Sequence, residues 1–138
     1  MSDQNLKSRL KNGEVVVGPF VNLASGALIE IAAYAGFDFV ILDTEHGPLE
    51  IQTAETLCRV SAGVGISPIV RIRENDPPQV LRALDIGAEG VQVPQICTGA
   101  DAESLVHAAR HKSAALSELG RSQAYNRRCA GVASSRVA

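Results

Sequence analysis

The sequence predicts an α/β fold in which four parallel strands alternate with four helices, and three observations predict it. Short apolar runs of strand length recur along the chain, each bounded by glycine, proline or charge. Between them lie segments whose apolar residues repeat at helical spacing. The repeat is about 20–30 residues, the length of a βα unit. A doubly wound sheet and a (β/α) barrel both satisfy this pattern, each with right-handed crossovers. The first βα turn has neither a GxGxxG nor a Walker loop, which argues against the nucleotide-binding version. A complete (β/α)8 barrel takes about 200–250 residues, so 138 residues supply about half of one.

Asn5–Leu10 is a short amphipathic lead-in helix ended by Asn12-Gly13. A strand begins at Val15 and runs to about Asn22. Ser25 caps a helix over Gly26–Ala35, with Leu28, Ile31 and Ala32 on one face. Phe39, Val40, Ile41 and Leu42 form the second strand, an unbroken apolar run that suits a parallel strand covered on both faces. The next helix spans Leu49–Val60, with Ile51, Ala54, Leu57 and Cys58 at helical spacing, and Gly63 and Gly65 stop it. Ser67–Arg73 is the third strand. Asp76 caps the following helix and Pro77 takes its first position, where proline is favoured. That helix carries Val80, Leu81 and Leu84 and ends at Gly87. Gly90–Pro94 is the fourth strand, and Asp101–Lys112 the fourth helix of the βα series.

Charge divides the chain at about residue 112. Residues 1–112 hold nine Lys and Arg against fourteen Asp and Glu, net −5, and residues 113–138 hold four Arg against one acid, net +3. The second segment, 113–138, alternates Ala, Ser and Arg with no sustained period; Leu116–Gln123 could extend the preceding helix, and the rest reads as a loop or a disordered end. The whole chain is at −2, which argues against a nucleic-acid partner. No apolar run is long enough to span a membrane. Met1 to Gly13 is polar and has no signal-peptide pattern, so the expected location is cytoplasmic. Cys58, Cys97 and Cys129 are odd in number and widely spaced, which fits neither a disulfide framework nor a zinc site.

Candidate chemistry concentrates where the second strand stops. Asp43, Glu45 and His46 fall within four residues, closed by Gly47-Pro48. The carboxyl end of a parallel strand is where loops converge on a ligand in α/β folds. An aspartate bonded to one imidazole nitrogen would fix the tautomer that a general base needs. Glu45 could bind a metal directly or through water. The bland alternative is a polar turn in which Asp43 caps the next helix. Arg71, flanked by Ile69, Val70 and Ile72, is a charge in an apolar strand and needs a partner. With Val70 and Ile72 under the helices it points to the other face, where it could hold a carboxylate or an enolate oxygen. Its bland reading is an ion pair with Asp43 or Asp85. Asp85 lies near a helix carboxyl end, where the dipole disfavours an anion. His107 and His111 are four apart on a helix, but no acid stands in the HExxH position.

AGFDFVILDTEHGP, PIVRIRENDP and LRALDIGAEGVQVPQI, in this order and spacing, resemble the HpcH/HpaI aldolases over about residues 13–112. These are class II pyruvate-dependent aldolases of the phosphoenolpyruvate/pyruvate barrel superfamily. The resemblance implies a (β/α)8 TIM barrel of which this chain holds the N-terminal half, about four βα units, in a family of homo-oligomers, usually hexamers. It implies cleavage of 4-hydroxy-2-oxo acids, such as 4-hydroxy-2-oxoheptanedioate, to pyruvate and an aldehyde, with a divalent metal (Mg2+, Mn2+ or Co2+) holding the pyruvate enolate. By the same resemblance His46 is the catalytic base, paired with Asp43, and Arg71 stabilises the enolate oxygen. Asp85 supports the histidine, and Glu45 acts through water or behind the site. The family's metal ligands, a glutamate after the fifth strand and an aspartate after the sixth, fall beyond residue 138. The expectation is therefore a truncated or frameshifted chain, without metal ligands of its own, inactive alone and prone to self-association. Two alternatives stand beside it: a non-catalytic remnant or interaction module, and a citrate-lyase-like CoA ester lyase, against which the DTEH motif speaks.

Overall fold

A computed structural model describes residues 6–118, with side chains through Arg110. Of the segment 113–138, only 113–118 is described, as helix backbone; Cys129 and the side chain of His111 lie outside the described residues. The elements are α1 (Leu6–Lys11), β1 (Phe20–Val21), α2 (Gly26–Tyr34), β2 (Phe39–Asp43), α3 (Ile51–Val64), β3 (Ser67–Arg71), α4 (Pro77–Asp85), β4 (Gly90–Gln92) and α5 (Gly99–Glu118).

All pairings are parallel, and the strand order is β1-β2-β3-β4. Doubly wound sheets reverse their order at a switch point. Here the order only advances, so right-handed crossovers put α2 to α4 on one face. The register shows the consequence. Val21, Leu42, Val70 and Val91 are aligned neighbours across the sheet, and all four are buried under the helices. Ile29, Leu57, Val80, Ala83 and Leu105 from the helices close that core. On the opposite face the aligned row is Phe20, Ile41, Ile69 and Gly90. Phe20 there is 54% exposed. One face under helices and one facing inward is the arrangement of a barrel segment.

The first strand is shorter than the sequence predicts. Val15 and Val17 are exposed, and only Phe20–Val21 pair as strand. Gly18 packs so closely on β2 that a Cβ there would lie 2.2 Å from the Phe39 carbonyl oxygen. Pro19, next to it, has no N–H to give. The segment still tracks β2 through Asp38 N–H to Val17 O (2.9 Å) and Ile41 N–H to Pro19 O (2.9 Å). In α2 the buried residues are Ile29 and Ala32, whereas Ile31 is 61% exposed. The helix is apolar on several sides, so spacing alone did not select the inner one. α3 runs through Gly63 to Val64, and Gly65, at φ 79°, ends it in the left-handed conformation glycine favours. α4 begins as predicted, with Pro77 first and the Asp76 carboxylate accepting from Gln79 N–H at 3.3 Å. At the amino end of the sheet, Arg9 of α1 binds Asp38 at 2.6 Å, and Asp38 also accepts from Val17 N–H at 2.7 Å.

Two glycines make opposite predictions. Gly18→Ala must push β2 aside and should destabilise by about 1–3 kcal/mol. Gly63 is exposed inside α3 with nothing within 4 Å of an added Cβ, so Gly63→Ala should stabilise by about 0.5–1 kcal/mol. Denaturant titration of both variants checks the pair.

Candidate active site

β2 and β3 end side by side, and their last residues are Asp43 and Arg71, partners in register. Because aligned residues of parallel strands project to one face, the two side chains meet above the sheet. Arg71 Nε donates to Asp43 Oδ1 at 2.9 Å and Nη2 to Oδ2 at 2.5 Å, a bidentate pair. Asp43 is 7% exposed and Arg71 19%. The Arg71 bond, helped by the backbone N–H groups of His46 and Glu45, outweighs burial and holds the Asp43 carboxyl at about 2, below its usual 3.8. The same bond raises Arg71 above its ordinary value.

Asp43 also builds the turn that follows. Its Oδ1 accepts from Glu45 N–H at 3.0 Å and from His46 N–H at 3.2 Å, the local bond by which aspartate folds a turn on itself. Gly47 closes the turn against Asp43 O and Asn22, with 2.8 Å and 3.0 Å left for a Cβ. Thr44 pins it from outside, its hydroxyl donating to Arg71 O at 2.6 Å. The turn leaves His46 largely exposed, with Nδ1 2.9 Å from Arg71 Nη2 and 3.4 Å from Glu45 Oε2. A guanidinium can only donate. A hydrogen bond in this contact therefore has Nδ1 as its acceptor. Glu45 Oε2 stands 3.3 Å from Arg71 Nε, and the Phe20 ring lies 4.8 Å from Arg71 Cζ, a cation–π contact.

A family model described as HpcH/HpaI aldolase/citrate lyase matches residues 17–128. The 4-hydroxy-2-oxo-heptane-1,7-dioate aldolase of Escherichia coli is 33% identical over 129 residues, covering 91% of this chain and 49% of that protein. The chain belongs to the HpcH/HpaI aldolase/citrate lyase family. It spans about half the length of the curated relatives it matches. Among solved structures, the citrate synthase SbnG superposes with a TM-score of 0.72 at 35% identity, over 76% of this chain and 43% of that one. A family member from Burkholderia cenocepacia J2315 gives 0.72 at 33% identity, over 86% and 48%. The sheet is thus four βα units of the TIM-barrel type.

Asp43, Glu45, His46 and Arg71 come together at the strand ends. Asp43 meets His46 through the backbone N–H, and the ring nitrogen faces Arg71, not the aspartate the sequence reading paired with it. The arginine's partner is Asp43 and not Asp85. Asp85 is exposed at the carboxyl end of α4, which leads into the amino end of β4. Within this chain that is the opposite end of the sheet. Arg73, read as rim, donates to Thr44 O at 2.9 Å and to Glu50 at 3.1 Å. Cys58 is buried in the core and Cys97 exposed. Phe20 and Thr44 were not singled out by the sequence reading. Phe20's place was readable only from the alternation that puts Val21 under the helices.

Among the described residues, no three of His, Cys, Asp and Glu gather to hold a metal. Asp43 has both oxygens engaged by Arg71, and a hard cation takes about six oxygen ligands. These residues do not fit a divalent cation. Calorimetric titration with Mn2+ should show no tight stoichiometric binding to this chain, and Asp43→Ala should leave that result unchanged.

The depressed Asp43 value makes a pH prediction. A carboxyl lower in the folded than in the unfolded state stabilises above the unfolded value and loses that contribution as it protonates. The loss should run from about pH 4 down to about pH 2 and amount to on the order of 2 kcal/mol. Asp43→Asn should be less stable near neutrality and flatter across this window. Unfolding free energies at a series of pH values check it.

Proposed function

We propose that this chain supplies the oxo-acid and proton-transfer groups of a carbon–carbon lyase that cleaves 4-hydroxy-2-oxo acids to pyruvate and an aldehyde. One observation carries the reading: a guanidinium donor, Arg71 Nη2, and an imidazole acceptor, His46 Nδ1, face one another at 2.9 Å on adjacent strand ends. A substrate entering between them would present its C2 oxo oxygen to the Arg71 donor and its C4 hydroxyl to the His46 acceptor. Asp43 holds Arg71 by two bonds and His46 by the backbone, so both are positioned before substrate arrives.

In the cleavage, His46 takes the proton of the C4 hydroxyl. The C3–C4 bond breaks, C4 leaves as the aldehyde, and the electron pair passes to C3 and the C2 oxygen as an enolate. Arg71 donates to that oxyanion, charge that grows during the step. His46 then returns the proton to C3, completing pyruvate. The name of the Escherichia coli relative supports this substrate class. The likeness to a citrate synthase favours a second reading, in which the same enolate chemistry runs toward bond formation.

Proton exchange at C3 of pyruvate is the part these residues can perform by themselves. Incubated with pyruvate in D2O, the chain should accelerate methyl deuteration over buffer. His46→Ala and Arg71→Ala should each lower the protein's contribution by about a hundredfold or to background. Exchange that survives both substitutions would remove the reading. Cleavage of 4-hydroxy-2-oxoheptanedioate, followed by pyruvate release, separates lyase from synthase.

A further inference from the structure

β4 ends in a polar side chain that none of the roles above uses. Gln92 is the register partner of Arg71, as Arg71 is of Asp43. The three therefore form one row on one face of the sheet, on adjacent strands about 5 Å apart. The Gln92 carboxamide oxygen is, among the described residues, the only buried side-chain nitrogen or oxygen without a hydrogen-bond partner. Burying an acceptor without a donor is unfavourable, and such atoms are rare enough that each has a reason. Its neighbour does not supply the donor. Arg71 leans the other way, toward Asp43, Glu45, His46 and Phe20. Those polar contacts use Nε and Nη2; among the described residues Nη1 makes none.

Just beyond, Gln95 has φ 58°, the one positive value at a non-glycine among the described residues. A left-handed backbone at such a residue is held in place by its surroundings and clusters at ligand sites. Both features lie at the carboxyl end of β4, the end where parallel α/β sheets bind ligands.

We infer that Gln92 is a substrate-contacting residue that accepts a hydrogen bond from a ligand hydroxyl while Arg71 holds the ligand's oxo or carboxylate oxygen, and that it selects oxo acids or aldehydes bearing a hydroxyl besides the reacting one. Arg71 offers only donors and the Gln92 oxygen only an acceptor. A ligand that satisfies both carries an oxyanion or carbonyl next to a hydroxyl. A second carboxylate at the Gln92 oxygen would place acceptor against acceptor. The inference rests on the oxo-acid reading of the Arg71 site and adds the substrate class.

Pyruvate and 3-hydroxypyruvate differ by one hydroxyl and serve as probes, titrated into the whole 138-residue chain with affinities read from amide chemical shifts. The wild-type chain should bind 3-hydroxypyruvate about three- to tenfold tighter than pyruvate, the size of one neutral hydrogen bond. Gln92→Met keeps the side chain's length and removes the acceptor. It should abolish that preference, leave pyruvate binding within about twofold, and not lower the melting temperature, since the acceptor it removes has no partner among the described residues. Equal affinities in the wild type, or a preference that survives Gln92→Met, overturn the inference and leave the Arg71 reading standing. A marked fall in melting temperature with Gln92→Met reveals a partner within the protein and also overturns it. If pyruvate does not bind, or binds equally well to Arg71→Leu, the reading of the site fails and the inference falls with it.

Discussion

The bidentate pair between Asp43 and Arg71 is the constraint on which the rest of the site depends. It joins the last residues of two adjacent strands, on the face the helices leave uncovered. Neither charge could stand there alone, because a half-buried ion without a partner loses solvation it cannot recover. Asp43 then does a second thing with the same oxygen, accepting from two backbone N–H groups of its own turn. Removing Arg71 would therefore unsettle the turn that carries His46, and removing Asp43 would release both Arg71 and that turn. The site is one unit built around a carboxylate, not a set of independent residues. Effects of substitutions within it should not add.

That unit explains why Asp43 makes a poor proton carrier. A carboxyl held near 2 stays ionised across the working range and gives up its charge only in acid. Its part is to orient. In the proposed reaction the mobile proton is assigned to His46, whose ring is exposed on one side and faces Arg71 on the other.

Much of this was legible in the chain because it follows from short-range rules. FVIL followed by DTEHGP states a buried parallel strand and then a turn, and Asp43, Glu45 and His46 had to cluster because they are neighbours. Arg71 was legible through the conflict between a charge and an apolar strand, though its partner came down to a choice between Asp43 and Asp85. Register decided that, and register is a property of two strands together that neither announces alone. Gln92 went unread for the same reason. Nothing in GVQVP sets a glutamine apart until Arg71 is found beside it and its oxygen is found without a donor. β1 was overextended because Gly18 and Pro19 look like strand residues in an apolar stretch. Their effect, close approach to Phe39 and a missing N–H, appears only against β2.

Charge balance sets a final limit on what the cluster can do. Asp43 and Glu45 bring two negative charges against the single positive charge of Arg71. Arg73, the nearest other cation in sequence, is turned to Glu50 and Thr44 O. An oxo acid adds a further negative charge beside this excess. At a separation of about 4 Å, one uncompensated unit costs roughly 1–4 kcal/mol between the dielectric of water and that of a protein surface. The donors left to Arg71 must work against that cost, so an anion held by these residues alone is held weakly. On the proposed oxo-acid reading, any further positive charge brought to the strand ends repays more in the transition state than in the ground state, because an enolate would concentrate its charge on the oxygen facing Arg71. On that reading these groups orient a substrate and move its proton, and the electrostatic part of any acceleration depends on how the excess of negative charge is neutralised.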